Sequence, residues 1–201
     1  KGIHMRPGGP VQIQVSWPLL LGLGLVLLLL ILGATAYFTV GANPEGVVTR
    51  FGRLVGKVPP GLHFKLPFGI DRVDRVKTAF TFKEEFGFRT DRTGRRTTYA
   101  PDRSEFLKEA LMVTGDLNMA RVEWIVQYRI KDAQAYLFHL RSPDGTLRDL
   151  AESVMREVVG DMTVTEVLTE KRVEINTQVR DRLQEALDSY DAGISVSQVI
   201  L

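Results

Sequence analysis

The side chains best suited to chemistry are dispersed along this chain. Its three histidines, His4, His63 and His139, fall in an N-terminal tail, an alternating apolar stretch and a short helical stretch. Metal sites need ligands at short, regular spacing, and these three have none. There is no cysteine, which removes thiol nucleophiles, thiolate metal sites and disulfides. Glu84 and Glu85 are adjacent carboxylates, but neighbours on a strand point to opposite faces and cannot share a proton. No G-x-S-x-G elbow, phosphate-binding G-x-x-x-x-G-K-[ST] or G-x-G-x-x-G before a helix occurs. Gly22 and Gly24 lie inside an uncharged run, where small residues ease helix contact. The sequence therefore nominates no catalytic, cofactor-binding or metal residue, and an enzyme is not expected.

Charge points the same way for nucleic acid. Residues 1–40 carry Lys1 and Arg6 and no acid, so the remaining 24 basic and 24 acidic residues balance. A neutral domain lacks the electrostatic footprint of a nucleic-acid binder. One local excess stands out: residues 89–104, "RTDRTGRRTTYAPDRS", hold five Arg against two Asp without apolar periodicity. That composition suits a solvated loop. Its sharper reading is a partner-contacting loop centred on Arg92, Arg95, Arg96 and Tyr99.

The element that would position such a domain is an anchor. No charge occurs between Arg6 and Glu45. The run Leu19 to Val40 is predicted as a transmembrane helix over 19–41, preceded by a tail, 1–18, whose residues 1–5 read as a tag remnant. Twenty-two residues at about 1.5 Å each would span roughly 33 Å. Trp17 and Leu19 at one end, and Tyr37, Phe38 and Val40 at the other, are placed at the membrane interfaces, where amphipathic rings are favoured. The rival is a cleaved signal peptide, since Ala34-Thr35-Ala36 has the small-x-small form of a cleavage site. Arg50, Arg53 and Lys57 outnumber the tail cations, so a simple positive-inside count puts the domain in the cytosol, although long domains cross regardless of charge.

Beyond Asn43-Pro44 the pattern is strands first, helices later. Glu45–Phe51 reads as a strand and the Gly/Pro-rich stretch 52–61 as a loop. Leu62, Phe64, Leu66 and Phe68 alternate with polar residues and are expected to face the core. Val58, Pro59 and Pro60 are expected at a membrane-facing hairpin tip. Two further short strands follow up to Arg89. Leu117–Ile130 is the longest strand signal, with Ala120, Val122, Trp124, Val126, Tyr128 and Ile130 on one face. After Ile130 the period becomes helical: a short helix capped by Asp132, a second from Ser142-Pro143 with Leu147, Leu150, Ala151, Val154 and Val158 inward, and a third over about 169–190 with Ile175, Val179, Leu183, Ala186 and Leu187 inward. Thr163 and Glu166 have capping-box spacing. Gly193 stops the last helix and "ISVSQVIL" closes as a strand. The order implies an α+β fold of antiparallel sheets with segregated helices.

Two segments carry a family resemblance. "EGVVTRFGRLVGKVPPGLHFKLPFGIDRVDRV" (45–76) and "VEWIVQYRIKDAQAYLFHLRSPDGTLRDLAESVMREVVGDMTVTEVLTEKR" (122–172) resemble the SPFH family, also called prohibitin-homology or band-7, and within it the bacterial HflK branch. The resemblance spans about 43–201. It implies a membrane-proximal β-rich lobe (43–130), an α/β lobe (131–201) and, beyond this chain, a coiled-coil helix. It further implies a single-pass bacterial inner-membrane scaffold with a cytoplasmic N-terminus and a periplasmic domain. Its implied partners are the bilayer, an HflC-like paralogue and an FtsH-like membrane protease that it modulates, in a hetero- or homo-oligomer without cofactor. A stomatin-like membrane organiser with other partners is the alternative within the family.

Overall fold

The computed structural model describes residues 17–41, 44–67, 69–92, 98–99 and 104–201. It opens with α1 (Trp17–Thr35), an uncharged helix apolar on every side. The helix stops short of the expected boundary. Residues 37–40, "YFTV", form β1 (Tyr37–Val40) and pair with β4 (Gly61–Phe64). Aromatic and β-branched residues favour a pleated strand once a partner is present. The expected helix over 19–41 is thus six residues too long at its C-terminal end.

Between these two strands lie β2 (Pro44–Arg50) and β3 (Arg53–Val58), and β5 (Asp71–Lys77) follows them. They make an antiparallel sheet in the order β3-β2-β5. The stretch expected to be a loop, 52–61, therefore holds a strand. Phe51 and Gly52 turn the chain at φ 49° and 79°, which places the glycine where only a residue lacking Cβ is unstrained.

The second lobe is built on β6 (Phe82–Phe86), β11 (Trp124–Ile130) and β12 (Ile194–Ile200), antiparallel in the order β12-β11-β6. Around it lie β7 (Thr90–Arg92) paired with β8 (Thr98–Tyr99), α2 (Ser104–Ala110), β9 (Leu111–Val113) paired with β10 (Met119–Arg121), α3 (Ala133–Phe138), α4 (Pro143–Gly160), a π turn (Glu166–Glu170) and α5 (Arg172–Ser189). The long strand signal is split at Val122-Glu123, because β10 pairs with β9 while β11 pairs with β6 and β12. Its predicted inward face holds throughout: Ala120, Val122, Trp124, Val126, Tyr128 and Ile130 are all buried. Two of this sheet's three strands come from residues before 131, on the first side of the expected lobe boundary.

Helices α4 and α5 cover this sheet. Leu147, Ala151, Val154 and Val158 from α4 and Ile175, Val179, Leu183 and Leu187 from α5 are buried against it. The rings of Trp124 and Phe86, direct partners across β11 and β6, stack with centroids 3.9 Å apart. Each buried large side chain contributes about 1.5–3 kcal/mol relative to exposure.

Local signals read from sequence recur here. Asp132 caps α3, its carboxylate accepting from the N–H groups of Gln134 and Ala135. The Thr163–Glu166 capping box is formed, with the Thr163 N–H donating to Glu166 Oε2 at 2.9 Å. That bond, the Lys171 ammonium and the Thr163 hydroxyl hold the Glu166 carboxyl at about 2, below its ordinary 4.5. A depressed folded-state value means the stabilisation is present above pH 4.5 and is lost as pH falls towards 2. Glu166→Gln is expected to be less stable than the parent at pH 7 and to converge with it near pH 2, checked by urea unfolding across that range. The stop expected at Gly193 falls instead at Asp191, which turns α5 off at φ 48° while the Ala192 N–H donates to the Leu187 carbonyl at 3.0 Å. Gly193, at φ 68°, is set by packing, since a Cβ there would lie 2.5 Å from the Asp132 carbonyl oxygen and 2.8 Å from the Tyr136 nitrogen. Gly193→Ala is therefore expected to cost more than about 1 kcal/mol in the same unfolding experiment.

Candidate membrane-contact surface

The ribbon of β1 and β4 has two unlike faces. Its register pairs Tyr37 with Phe64, Phe38 with His63, Thr39 with Leu62 and Val40 with Gly61. Period-2 alternation sends Phe38 and Val40 onto the β3-β2-β5 sheet, where they bury against Val48 with Val58 and Val73 alongside. The other face carries Tyr37, Leu62 and Phe64, all exposed. Gly46 lets the layers meet, since a Cβ there would lie 2.6 Å from Val58 Cγ2 and 3.0 Å from Val40 Cγ2.

This arrangement corrects three expectations. Phe38 and Val40 are core residues and not interface residues, because the chain enters a strand where a helix was expected. Leu62, Phe64 and Leu66 are exposed and not core, because the sheet is already covered by the opposite side of the ribbon; Phe68 lies outside the described residues. Val58 is half-buried under Val40 and so does not project from a tip. Pro59 and Pro60 are exposed. They precede Gly61, which pairs with Val40 at the ribbon end remote from α1. Trp17 and Tyr37 are exposed, as an interface position requires.

The end of the lobe nearest α1 is made by other residues. The Lys65 N–H donates to the Ala36 carbonyl at 2.7 Å, and the Phe51 N–H to the Ile70 carbonyl at 3.1 Å. Asp71, buried, clamps this end: its carboxylate accepts from Arg50 Nε at 2.8 Å, from Arg50 Nη2 at 3.2 Å and from the Leu66 N–H at 2.9 Å. Those donors, the guanidinium first, lower the Asp71 pKa against the burial that opposes them. The clamp brings together Phe51, 79% exposed, Phe64, 82% exposed, and Tyr37 and Leu66. Arg53 and Lys65 lie among them, and Arg53 meets no acid among the described residues. Sequence reading missed Phe51, whose only signal was its place before a glycine in "RFGR".

The helix α1 meets the lobe at this end. None of its residues belongs to the three buried clusters, and ten of its large apolar side chains are exposed, from Trp17 to Ile31. Among the described residues no helix is long and apolar enough to cross a membrane. The 19 residues of α1 reach about 28 Å, against about 30 Å of hydrocarbon.

The partner loop and the acids take other places. Arg92 and Tyr99 lie on the β7–β8 ribbon, while Arg95 and Arg96 fall outside the described residues. Glu85 ties the base of that ribbon to β6, accepting from the Thr90 N–H and hydroxyl, each at 2.7 Å. Burial raises its pKa, but Lys83 and Thr90 outweigh it and the net shift is downward. Glu84 pairs instead with Arg148 of α4, whose guanidinium lies 4.9 Å from the Phe86 ring centroid. The adjacent carboxylates thus take separate cations. His63 Nε2 lies 2.7 Å from the Pro59 carbonyl oxygen, and His139 lies against Asp191.

Comparison with known proteins decides the family. Residues 38–201 match the model of the SPFH domain / Band 7 family. The chain belongs to that family. It is 35% identical over 196 residues to Protein HflK of Treponema pallidum, covering 96% of this chain and 58% of that protein. It is 34% identical over 163 residues to Protein HflK of Borreliella burgdorferi, covering 81% and 50%. Against the Modulator of FtsH protease HflK of Escherichia coli the figures are 33% over 172 residues, 86% and 36%. The resemblance to the HflK branch is thereby upheld, and the chain spans about a third to somewhat over half the length of these relatives.

Because Val58 packs inward, Val58→Asp is expected to fail as a surface mutation. A carboxylate driven against Val40 and Phe38 should cost about 2 kcal/mol or more, read as a lower urea midpoint with an unchanged slope.

Proposed function

We propose that this SPFH domain is the membrane-seated part of an HflK-like scaffold that modulates an FtsH-like membrane protease together with an HflC-like paralogue. The observation that carries the membrane part is the meeting of two apolar features at one point. The uncharged α1 leads directly into the lobe end where Phe51, Phe64, Tyr37 and Leu66 are exposed. In this reading α1 anchors the chain in a single pass. Its deficit of roughly 2 Å is made up by slight bilayer thinning and by the aromatic side chains entering the headgroup layer. Arg53 and Lys65 beside them suit an anionic leaflet. The domain lies on the extracytoplasmic side of a bacterial inner membrane with the N-terminus in the cytoplasm.

The protease part rests on likeness to HflK proteins, one of which is named a modulator of FtsH protease. The role is that of a scaffold and not of an enzyme. Modulation then works through position: the lobe is held at the bilayer surface, and the arginine-rich segment 89–104, with Arg92, Arg95, Arg96 and Tyr99, supplies the contact to a neighbour.

Two measurements test this. In bilayers containing brominated lipids, a tryptophan at position 51 or 64 (Phe51→Trp or Phe64→Trp, in a Trp17→Phe background) is expected to be quenched. One at position 173 (Val173→Trp), exposed on α5, is not. Equal quenching at all three positions, or none, would refute the membrane orientation. Capture of the intact protein from native membranes in mild detergent is expected to recover an FtsH-like protease and an HflC-like paralogue. Recovery of neither would sink the protease reading while leaving the membrane contact standing.

A further inference from the structure

Strand β5 lies at one border of its sheet, and among the described residues its outer edge has no partner strand. Such an edge presents free N–H and C=O groups that can template another strand. Its second half, "RVK", sets Arg75 and Lys77 two residues apart and so on the same face. Arg75 Nη2 donates to the Thr39 carbonyl at 3.1 Å, and Lys77 Nζ lies 5.8 Å from the Phe80 ring centroid. Neither cation has an acidic partner among the described residues, whereas Arg50 on the neighbouring strand and Lys57 beyond it are both paired. With Pro44, Ala79 and Phe80 the two cations line a mainly apolar groove of about 490 Å³.

The simplest account of a charged edge strand is protection against aggregation. Protection needs charge alone. It does not need two cations without acidic partners in a groove, one of them over a half-exposed phenyl ring, which is the composition of a binding cleft. Lipid is a poor occupant, because Thr39 and Val40 stand about 10 Å along the ribbon from the α1 junction, where the bilayer is placed above. We propose that the β5 edge and this groove bind an extended acidic segment of a partner protein. Carboxylates at alternate positions of that segment, spaced about 6.6 Å apart, meet Arg75 and Lys77. An apolar side chain rests on Phe80, and main-chain hydrogen bonds run to β5.

The test uses the full chain in zwitterionic nanodiscs. The probe is a fluorescent, end-capped peptide of alternating glutamate and valine around one phenylalanine. Saturable binding is expected, weakened about tenfold or more by Arg75→Glu combined with Lys77→Glu, as for loss of a close charge pair. Lys77→Glu alone removes no side-chain hydrogen bond among the described residues and is expected to weaken binding in the same direction. Methylating alternate peptide amides is expected to abolish it. No saturable binding, or binding indifferent to Lys77→Glu, overturns the proposal. So does a groove that ignores the peptide yet loses phosphatidylglycerol vesicle binding on the same substitution, which would assign it to lipid.

Discussion

Burial of β2 on both faces is the constraint from which the arrangement follows. Val47 points to one side, where it is buried with Val76, Ile130 and Ala133 against the second lobe. Val48 points to the other, where it is buried with Phe38 and Val40 of the ribbon. A strand covered on both faces reads as a continuous apolar run, and "GVV" in "EGVVTR" is that run. Gly46 belongs to the same constraint, because the ribbon and β3 approach too closely for a side chain there. The sheet is thus the middle layer between the ribbon and the α/β lobe. The ion pair from Lys57 Nζ to Asp132 Oδ1 at 2.7 Å closes the lobe contact at its edge while Asp132 caps α3.

Once that middle layer is filled, the ribbon's other face is left uncovered among the described residues. Tyr37, Leu62 and Phe64 stay exposed, and the turn at Phe51 adds a ring to the same end. Exposed aromatic side chains scattered singly are ordinary, but several beside an uncharged helix support the contact surface proposed above. The Arg50–Asp71–Leu66 clamp makes that surface rigid, since it fixes the β2–β3 turn and the segment after β4 to one buried carboxylate.

The acids and bases of the second lobe serve the fold. Arg148 joins Glu84, Glu109 and the Phe86 ring, and Arg89 joins Glu109 and the Phe106 ring. Tyr128 and Tyr136 both donate to Asp144 Oδ1. With burial first among the causes, both phenols are pushed well above their ordinary range. These groups hold α2, α4 and β6 together. That explains why ionisable residues close together in space formed no recognisable motif in sequence.

Short-range physics was legible from sequence. The inward face of Ala120–Ile130, the stripes of α4 and α5, the Asp132 cap and the Thr163–Glu166 box each depend on neighbours within a turn or two. The α+β class followed from them, and the family resemblance rested on the segments 45–76 and 122–172. Partners distant in sequence were decided by tertiary structure. That "YFTV" leaves the helix to pair with "GLHF", that 53–58 is a strand, and that Leu62 and Phe64 face outward while Val58 faces inward all depend on which sheet face was already occupied. Alternation tells that a strand has two faces, but only packing decides which face is core. For the proposed membrane-contact surface the sequence therefore supplied the apolar residues and the basic ones, and the double burial of β2 decided which of them remain exposed.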